Sequence, residues 1–76
     1  MKAKEYFHNA PYATLDICPF AHYVLYGIEH DYAYIVYEND EGIQSYNKLK
    51  VRYTADGRAY VFLHRTMLYI ADFHRI

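Results

Sequence analysis

The residues best suited to chemistry are a single cysteine and five histidines. Cys18 and His22 are four positions apart, a spacing that would put both side chains on one face of a helix. Such a pair could bind zinc, or act as a nucleophile with its base. Pro19 follows the cysteine, however, and His22 lies in a stretch that we expect to be a strand. A structural zinc site also needs a full set of nitrogen and sulfur ligands. The sequence therefore predicts no metal site and no cofactor.

Other catalytic patterns are equally weak. The tripeptide Glu29-His30-Asp31 is capable of acid-base work, but three polar residues between two apolar runs are typical of a hairpin tip. The chain has no Gly-rich phosphate loop, no G-x-S-x-G and no H-E-x-x-H motif. We predict no catalytic residues and expect a protein that is not an enzyme.

The predicted hairpin of residues 48–65 would place cations beside aromatic rings, an arrangement suited to binding rather than to catalysis. Residues 48–53 alternate cationic with apolar side chains, which predicts a half-buried strand. The turn Ala55-Asp56-Gly57 follows, and residues 59–65 would return antiparallel to it. The charged face of this hairpin would form a basic-aromatic surface for an acidic partner or for single-stranded nucleic acid. Its members are Lys48, Lys50, Arg52, Tyr60, Phe62 and His64.

The register of this hairpin depends on the length of its loop. A two-residue loop at Asp56-Gly57 would place Leu49 opposite His64, whereas a three-residue loop makes one face wholly apolar. We therefore predict the three-residue loop. It pairs Tyr53 with Ala59, Val51 with Val61, and Leu49 with Leu63; on the other face it sets Lys48, Lys50 and Arg52 across from His64, Phe62 and Tyr60.

Carboxylates concentrate in two other predicted turns, and they form a second candidate binding surface. Residues 1–45 carry two lysines and seven carboxylates, whereas residues 46–76 carry six cations and two carboxylates. A bipolar surface of this kind suits a protein partner or self-association better than duplex DNA. The acidic turn residues are Glu29, Asp31, Glu38, Asp40 and Glu41.

Composition indicates one small domain of 76 residues. A lone cysteine is typical of a reducing compartment. No apolar run approaches the roughly 18 residues of a membrane span, and the N-terminus lacks the apolar core of a signal peptide. We therefore expect a cytoplasmic protein without a membrane partner. Eleven tyrosines, four phenylalanines and no tryptophan favour strands over helices.

These patterns predict a mainly β fold: a five-stranded antiparallel meander, either an SH3-like barrel or a strongly bent sheet. The alternation fails at Ser45 and Asn47, so we expect a bulge or bend there. Residues 1–19 should form an irregular segment that packs on residues 20–76, with a short helix in residues 1–8 and a short strand as the alternative for residues 12–19. The expected strands are 20–28, 32–38, 43–53, 59–65 and 66–70, followed by a helical turn at 71–73.

Two functions fit this picture. The first is a non-enzymatic protein-binding module that covers a partner's surface with its Tyr-rich and acidic patches. Small tyrosine-rich domains occur among inhibitors carried by phages and mobile elements, such as anti-CRISPR proteins, and this analogy suggests an inhibitor. The alternative is a small barrel that binds single-stranded nucleic acid through the basic-aromatic surface. A net charge of −1 counts against the alternative.

Overall fold

A computed structural model describes residues 7–18 and 21–76 of the chain. The mainly β class predicted from the sequence is confirmed, and the predicted helix in residues 1–8 lies almost entirely outside the described residues. The strands are β1 (Ala13–Cys18), β2 (Ala21–Glu29), β3 (Tyr32–Asn39), β4 (Gln44–Lys50), β5 (Arg52–Tyr53), β6 (Ala59–Leu63), β7 (Thr66–Tyr69) and β8 (His74–Arg75), with a 3-10 turn at Ile70–Asp72.

The strands form two antiparallel sheets rather than one. The larger sheet has five strands in the order β4-β3-β2-β1-β8, and the smaller has three in the order β5-β6-β7. Leu25 and Ile35 of the larger sheet share one buried cluster with Val61 and Leu68 of the smaller. The part of the chain that is described is thus a two-layer sandwich, with eight strands instead of five and no closed barrel.

Alternation within the strands separates the core from the two outer faces. In β6, Val61 and Leu63 are buried whereas Phe62 between them is exposed, as expected for a strand with one face on the core. β7 follows the same rule, with Leu68 inside and Met67 outside. Each sheet therefore presents one apolar face to the other sheet and one face outward.

The turn at residues 54–58 has the predicted three-residue loop. The Gly57 N–H donates to the Thr54 carbonyl oxygen at 3.0 Å, and the Thr54 N–H donates to the Arg58 carbonyl oxygen at 3.0 Å. Gly57 has φ +86°, a conformation that glycine adopts without steric penalty. The predicted pairs Tyr53–Ala59 and Arg52–Tyr60 are confirmed.

Beyond Arg52 the predicted hairpin register is wrong, because the chain changes sheets at Val51. The Val51 N–H donates to the Asp31 carbonyl oxygen at 2.6 Å, and the preceding strand β4 pairs with β3. The expected ladder pairs of Val51 with Val61 and of Leu49 with Leu63 do not form. These apolar residues still meet in the core, because β4 and β6 lie in opposite layers of the sandwich.

The bend in this long segment is at Val51, not at Ser45–Asn47 as predicted. β4 alternates regularly from end to end and needs no bulge. Ser45 and Asn47 point toward the core side at the edge of the larger sheet, where the Asn47 side-chain amide donates to the Ser45 carbonyl oxygen at 2.9 Å. Polar side chains are tolerated there because they are only half buried and are hydrogen-bonded.

Both ends of the described chain join the sandwich. β1 confirms the short-strand alternative for residues 12–19 and lies between β2 and β8. Phe7 packs on the outer face of the larger sheet, with its ring centroid 5.0 Å from that of Tyr46. The C-terminal helical turn is confirmed one residue earlier than predicted, and Phe73 after it is buried in the core.

Candidate interaction surfaces

The outer face of the smaller sheet is the first candidate surface, and we call it the β5–β7 face. Its side chains alternate with those that fill the core, so the sheet holds them side by side on the solvent side. Three cross-strand pairs run across it: Arg52 with Tyr60, Tyr60 with Tyr69, and Phe62 with Met67.

Phe62 and Met67 form the apolar centre of this face. Phe62 is 53% exposed and Met67 is 42% exposed, although each is an apolar side chain directly opposite the other. Their chain neighbours Val61 and Leu68 are buried almost completely on the other side of the sheet. The exposure of the pair therefore follows from the strand alternation and not from a loose fold.

Arg58 borders the β5–β7 face at the end near the 54–58 turn. Its guanidinium carbon lies 4.1 Å from the centroid of the Tyr69 ring, and its Nε is 3.8 Å from a carboxylate oxygen of Asp56. The hydrogen bond from the Thr54 hydroxyl lowers the pKa of Asp56, with a smaller contribution from Arg58. Asp56 thus stays ionised, and Arg58 is held between a ring and a carboxylate.

The predicted basic-aromatic surface is divided between the two sheets. Arg52, Tyr60 and Phe62 lie on the β5–β7 face, as predicted. Lys48 and Lys50 lie on the larger sheet, where their ammonium groups are 4.5 and 5.9 Å from the centroid of the Tyr32 ring. The prediction that Lys48 faces His64 and that Lys50 faces Phe62 is wrong, because these lysines are in register with β3.

His64 is separate from both groups. It occupies the two-residue turn between β6 and β7 with φ +50°, and the next residue, Arg65, has φ +62°. The His64 ring lies 4.8 Å from the ring of Tyr37 at the end of the sandwich. His64 therefore does not extend the row of side chains formed by Phe62 and Tyr60.

The sequence analysis did not select Arg58, Met67 or Tyr69 as site residues. Met67 and Tyr69 could have been found from the predicted strand at 66–70, because a tight turn after β6 fixes which of its residues face outward. That turn carries neither glycine nor asparagine, the usual signals for it. Arg58 had no such signal, since its contact with Tyr69 joins the 54–58 turn to the end of β7, eleven residues further along the chain.

The two acidic turns lie at opposite ends of β3 and do not form one surface. Glu29 ends β2 and Asp31 lies in the turn between β2 and β3, whereas Glu38 lies near the end of β3, before the turn to β4. The second turn is well ordered by Asn39, whose side-chain oxygen accepts from the backbone N–H groups of Glu41 and Ile43, each at 3.0 Å. Asp40 and Glu41 at its tip are exposed.

The charge split seen in the sequence is only partly a split in space. Lys48 and Lys50 lie on the larger sheet, beside the acidic turn that contains Asp31. By contrast, residues 57–71, which include β6 and β7, contain no carboxylate side chain. Arg52, Arg58 and Arg65 thus lie on or beside the β5–β7 face, and the carboxylates of Asp56 and Asp72 lie near its Arg58 end.

Among the described residues are two open clefts that share Ile70 in their lining. One, of about 400 Å³, is between the 54–58 turn and the 3-10 turn, and it is lined by Arg58, Tyr69, Ile70 and Asp72 among others. The second, of about 450 Å³, is mainly apolar and lies at the β2 bulge beside Gly27. Within residues 7–18 and 21–76, no three His, Cys, Asp or Glu residues are grouped so that they could hold a metal ion.

Comparisons with known proteins add no family or relative to this description. No family model matches the chain, and neither a curated protein nor a solved structure is significantly similar to it. The helices of the described residues include none with the length and apolar character needed to cross a membrane. The surfaces above must therefore be interpreted from their own chemistry.

Proposed function

We propose that the chain is a non-enzymatic protein-binding module and that the β5–β7 face is its binding surface. The observation that carries this proposal is the half-exposed Phe62–Met67 pair at the centre of that face. Apolar side chains grouped on an otherwise folded surface are typical of sites that a partner covers. The proposal keeps the cytoplasmic location expected from the single cysteine.

The composition of the face supports a protein partner. Aromatic residues, methionine and arginine are the types enriched in protein interfaces, and binding energy tends to concentrate in a central cluster of such residues. Phe62 and Met67 provide the centre, Tyr60 and Tyr69 lie beside them, and Arg52 is at the edge. Tyrosine adds contact area at a low cost in side-chain entropy.

The charge around the face specifies the chemistry of the partner. Arg52, Arg58 and Arg65 lie on or beside it, and Asp56 and Asp72 lie near its Arg58 end, so the matching surface is an acidic one with an apolar centre. Covering such a surface would make the module an inhibitor or a competitor, in line with the analogy to phage-borne inhibitors. The acidic turns remain a second predicted contact region, and the structure gives them no shared surface.

The test compares two serine substitutions of exposed apolar residues. Phe62→Ser removes the centre of the β5–β7 face, and Ile43→Ser is the matched control, because Ile43 is 60% exposed but lies in the turn between β3 and β4. Tagged proteins are used for quantitative capture of partners from a host lysate. We expect Phe62→Ser to reduce capture by at least about tenfold, which corresponds to about 1.4 kcal/mol, and Ile43→Ser to leave it unchanged.

The outcomes separate the alternatives. Equal capture by both variants contradicts the proposal. Loss of capture with Ile43→Ser alone would instead place the binding surface at the acidic turn between β3 and β4. Self-association is measured in parallel by sedimentation at several protein concentrations. A labelled single-stranded oligonucleotide is also titrated at about 50 and 200 mM salt, and tight binding with a steep salt dependence would favour the nucleic-acid alternative.

A further inference from the structure

We infer that the cleft between the 54–58 turn and the 3-10 turn binds a carboxylate side chain, an aspartate or glutamate of the acidic partner, through the guanidinium of Arg58. This inference deepens the proposed function and rests on it for the identity of the partner. The cleft has a volume of about 400 Å³ and borders the β5–β7 face, because Tyr69 lines the cleft and also belongs to that face.

The backbone that carries Arg58 is well fixed. Its N–H donates to the Thr54 hydroxyl oxygen at 3.0 Å, and its carbonyl oxygen accepts from the Thr54 N–H at 3.0 Å. Gly57 next to it has φ +86° and closes the turn with its own bond to Thr54. Arg58 is thus held through both its backbone N–H and its backbone carbonyl, although it is at the surface.

The side chain of Arg58 is also oriented before any ligand binds. Its guanidinium lies over the Tyr69 ring at 4.1 Å, and Asp56 is near its Nε at 3.8 Å. No further partner of this guanidinium occurs among the residues that the structure describes, so its terminal nitrogens can receive a ligand. A planar guanidinium that is already oriented recognises a carboxylate with two parallel hydrogen bonds and loses less entropy in doing so.

The charges around the cleft favour a carboxylate over the phosphates of a nucleic acid. Asp56 is next to Arg58, and Asp72 is on the opposite wall of the cleft. Hydrogen bonding lowers the pKa of Asp56, so it remains negative at neutral pH. A single carboxylate on Arg58 adds one negative charge beside Asp56 and Asp72, whereas a strand of successive phosphates would bring several negative charges against both aspartates.

The direct test uses small ligands of known charge. N-acetylglutamate amide is titrated into the whole protein and followed by NMR, with N-acetylglutamine amide as the neutral control and inorganic phosphate as the competing anion. We expect saturable millimolar shifts at Gly57, Ala59 and the Arg58 side chain for the glutamate derivative only. Arg58→Lys should weaken this binding about tenfold, because an ammonium cannot make the paired bonds, and Arg65→Lys should not.

The result also separates this inference from the proposed function. If glutamate produces no shifts at the cleft, or if phosphate binds there as tightly, the inference is wrong even when capture of a partner still depends on Phe62. If glutamate binds through Arg58 but Phe62→Ser leaves capture intact, the cleft is an anion site and the β5–β7 face is not the interface. Unfolding by urea checks that Arg58→Lys retains the fold.

Discussion

The two outer faces of the sandwich are both rich in aromatic rings, but they differ in what covers them. On the larger sheet, Phe7 lies nearly perpendicular to the rings of Tyr26, Tyr34 and Tyr46, with centroids 5.0 to 5.9 Å apart. Tyr34 is only 3% exposed as a result of its surroundings on that face. On the smaller sheet, Phe62 remains half exposed. Phe7 thus covers Tyr34 on the larger sheet, although Tyr46 in the same ring cluster is 61% exposed, and the smaller sheet leaves Phe62 accessible.

This difference bears on stability and binding in opposite ways. Rings that the chain itself covers contribute to folding through buried area and edge-to-face contacts. Rings that remain accessible contribute less to folding and retain their area for a partner. Substitutions on the two faces should therefore differ in what they change: unfolding on the larger sheet, and binding on the β5–β7 face.

The largest contrast is expected between the two sides of β7. Leu68→Ala should lower the free energy of unfolding by about 2–5 kcal/mol, because it leaves a cavity in the core where Leu68 is 1% exposed. Its neighbour Met67 faces outward, and Met67→Ala should change that free energy by less than about 1 kcal/mol. Urea unfolding of both variants measures the difference. Similar losses would show that the β5–β7 face is covered in solution.

A smaller contrast compares the phenylalanines of the two outer faces. Phe7→Ala removes three ring contacts and should lower the free energy of unfolding by about 2 kcal/mol, since each aromatic pair contributes about 0.5–1.5 kcal/mol. Phe62→Ala should cost under about 1 kcal/mol but should reduce capture of a partner. Thermal unfolding ranks the two variants. A larger loss of stability in Phe62→Ala than in Phe7→Ala would mean that the Phe7 ring contacts do not stabilise the fold.

Much of the exposed face was predictable because it depends on local patterns. Alternation in β6 and the Asp56-Gly57 turn predicted that Phe62 points outward and that Arg52 pairs with Tyr60. These features involve residues close together in the chain, so the sequence carries their full pattern. The same local reasoning placed β2, β3 and the C-terminal helical turn.

The covered face and the division between the sheets were not predictable in this way. The change of sheet at Val51 depends on a hydrogen bond to Asp31 and on β3 as the partner of β4, which are contacts between distant residues. Leu49, Val51 and Val61 are apolar residues at alternate positions of their strands, and this pattern is the same whether the strands pair side by side or face each other across a core. The alternation of apolar residues alone therefore predicted a single hairpin where the chain forms two layers.

The smallest effect is expected at the 54–58 turn, which supports Arg58 at the edge of the β5–β7 face. The Thr54 hydroxyl hydrogen bond lowers the folded-state pKa of Asp56 below its ordinary value of 3.8. A carboxyl with a lowered pKa contributes stability above its unfolded-state pKa, and this contribution is lost as the pH falls through its folded-state pKa. Asp56→Asn removes the titrating group, so the stability of the wild type relative to this variant should fall between about pH 4 and the folded-state pKa.

The measurement is the urea unfolding of wild type and Asp56→Asn at matched pH values, with the Asp56 carboxyl followed by NMR. Taking the difference between the two proteins removes the titration of the other carboxylates, which they share. Because Asp56 is exposed, the difference should be small, and it should shrink further at high salt only to the extent that Arg58 contributes. A difference independent of pH would mean that the Thr54–Asp56 bond does not persist in solution. In that case the turn would hold Arg58 through its backbone bonds alone, and the β5–β7 face would lose part of its fixed edge.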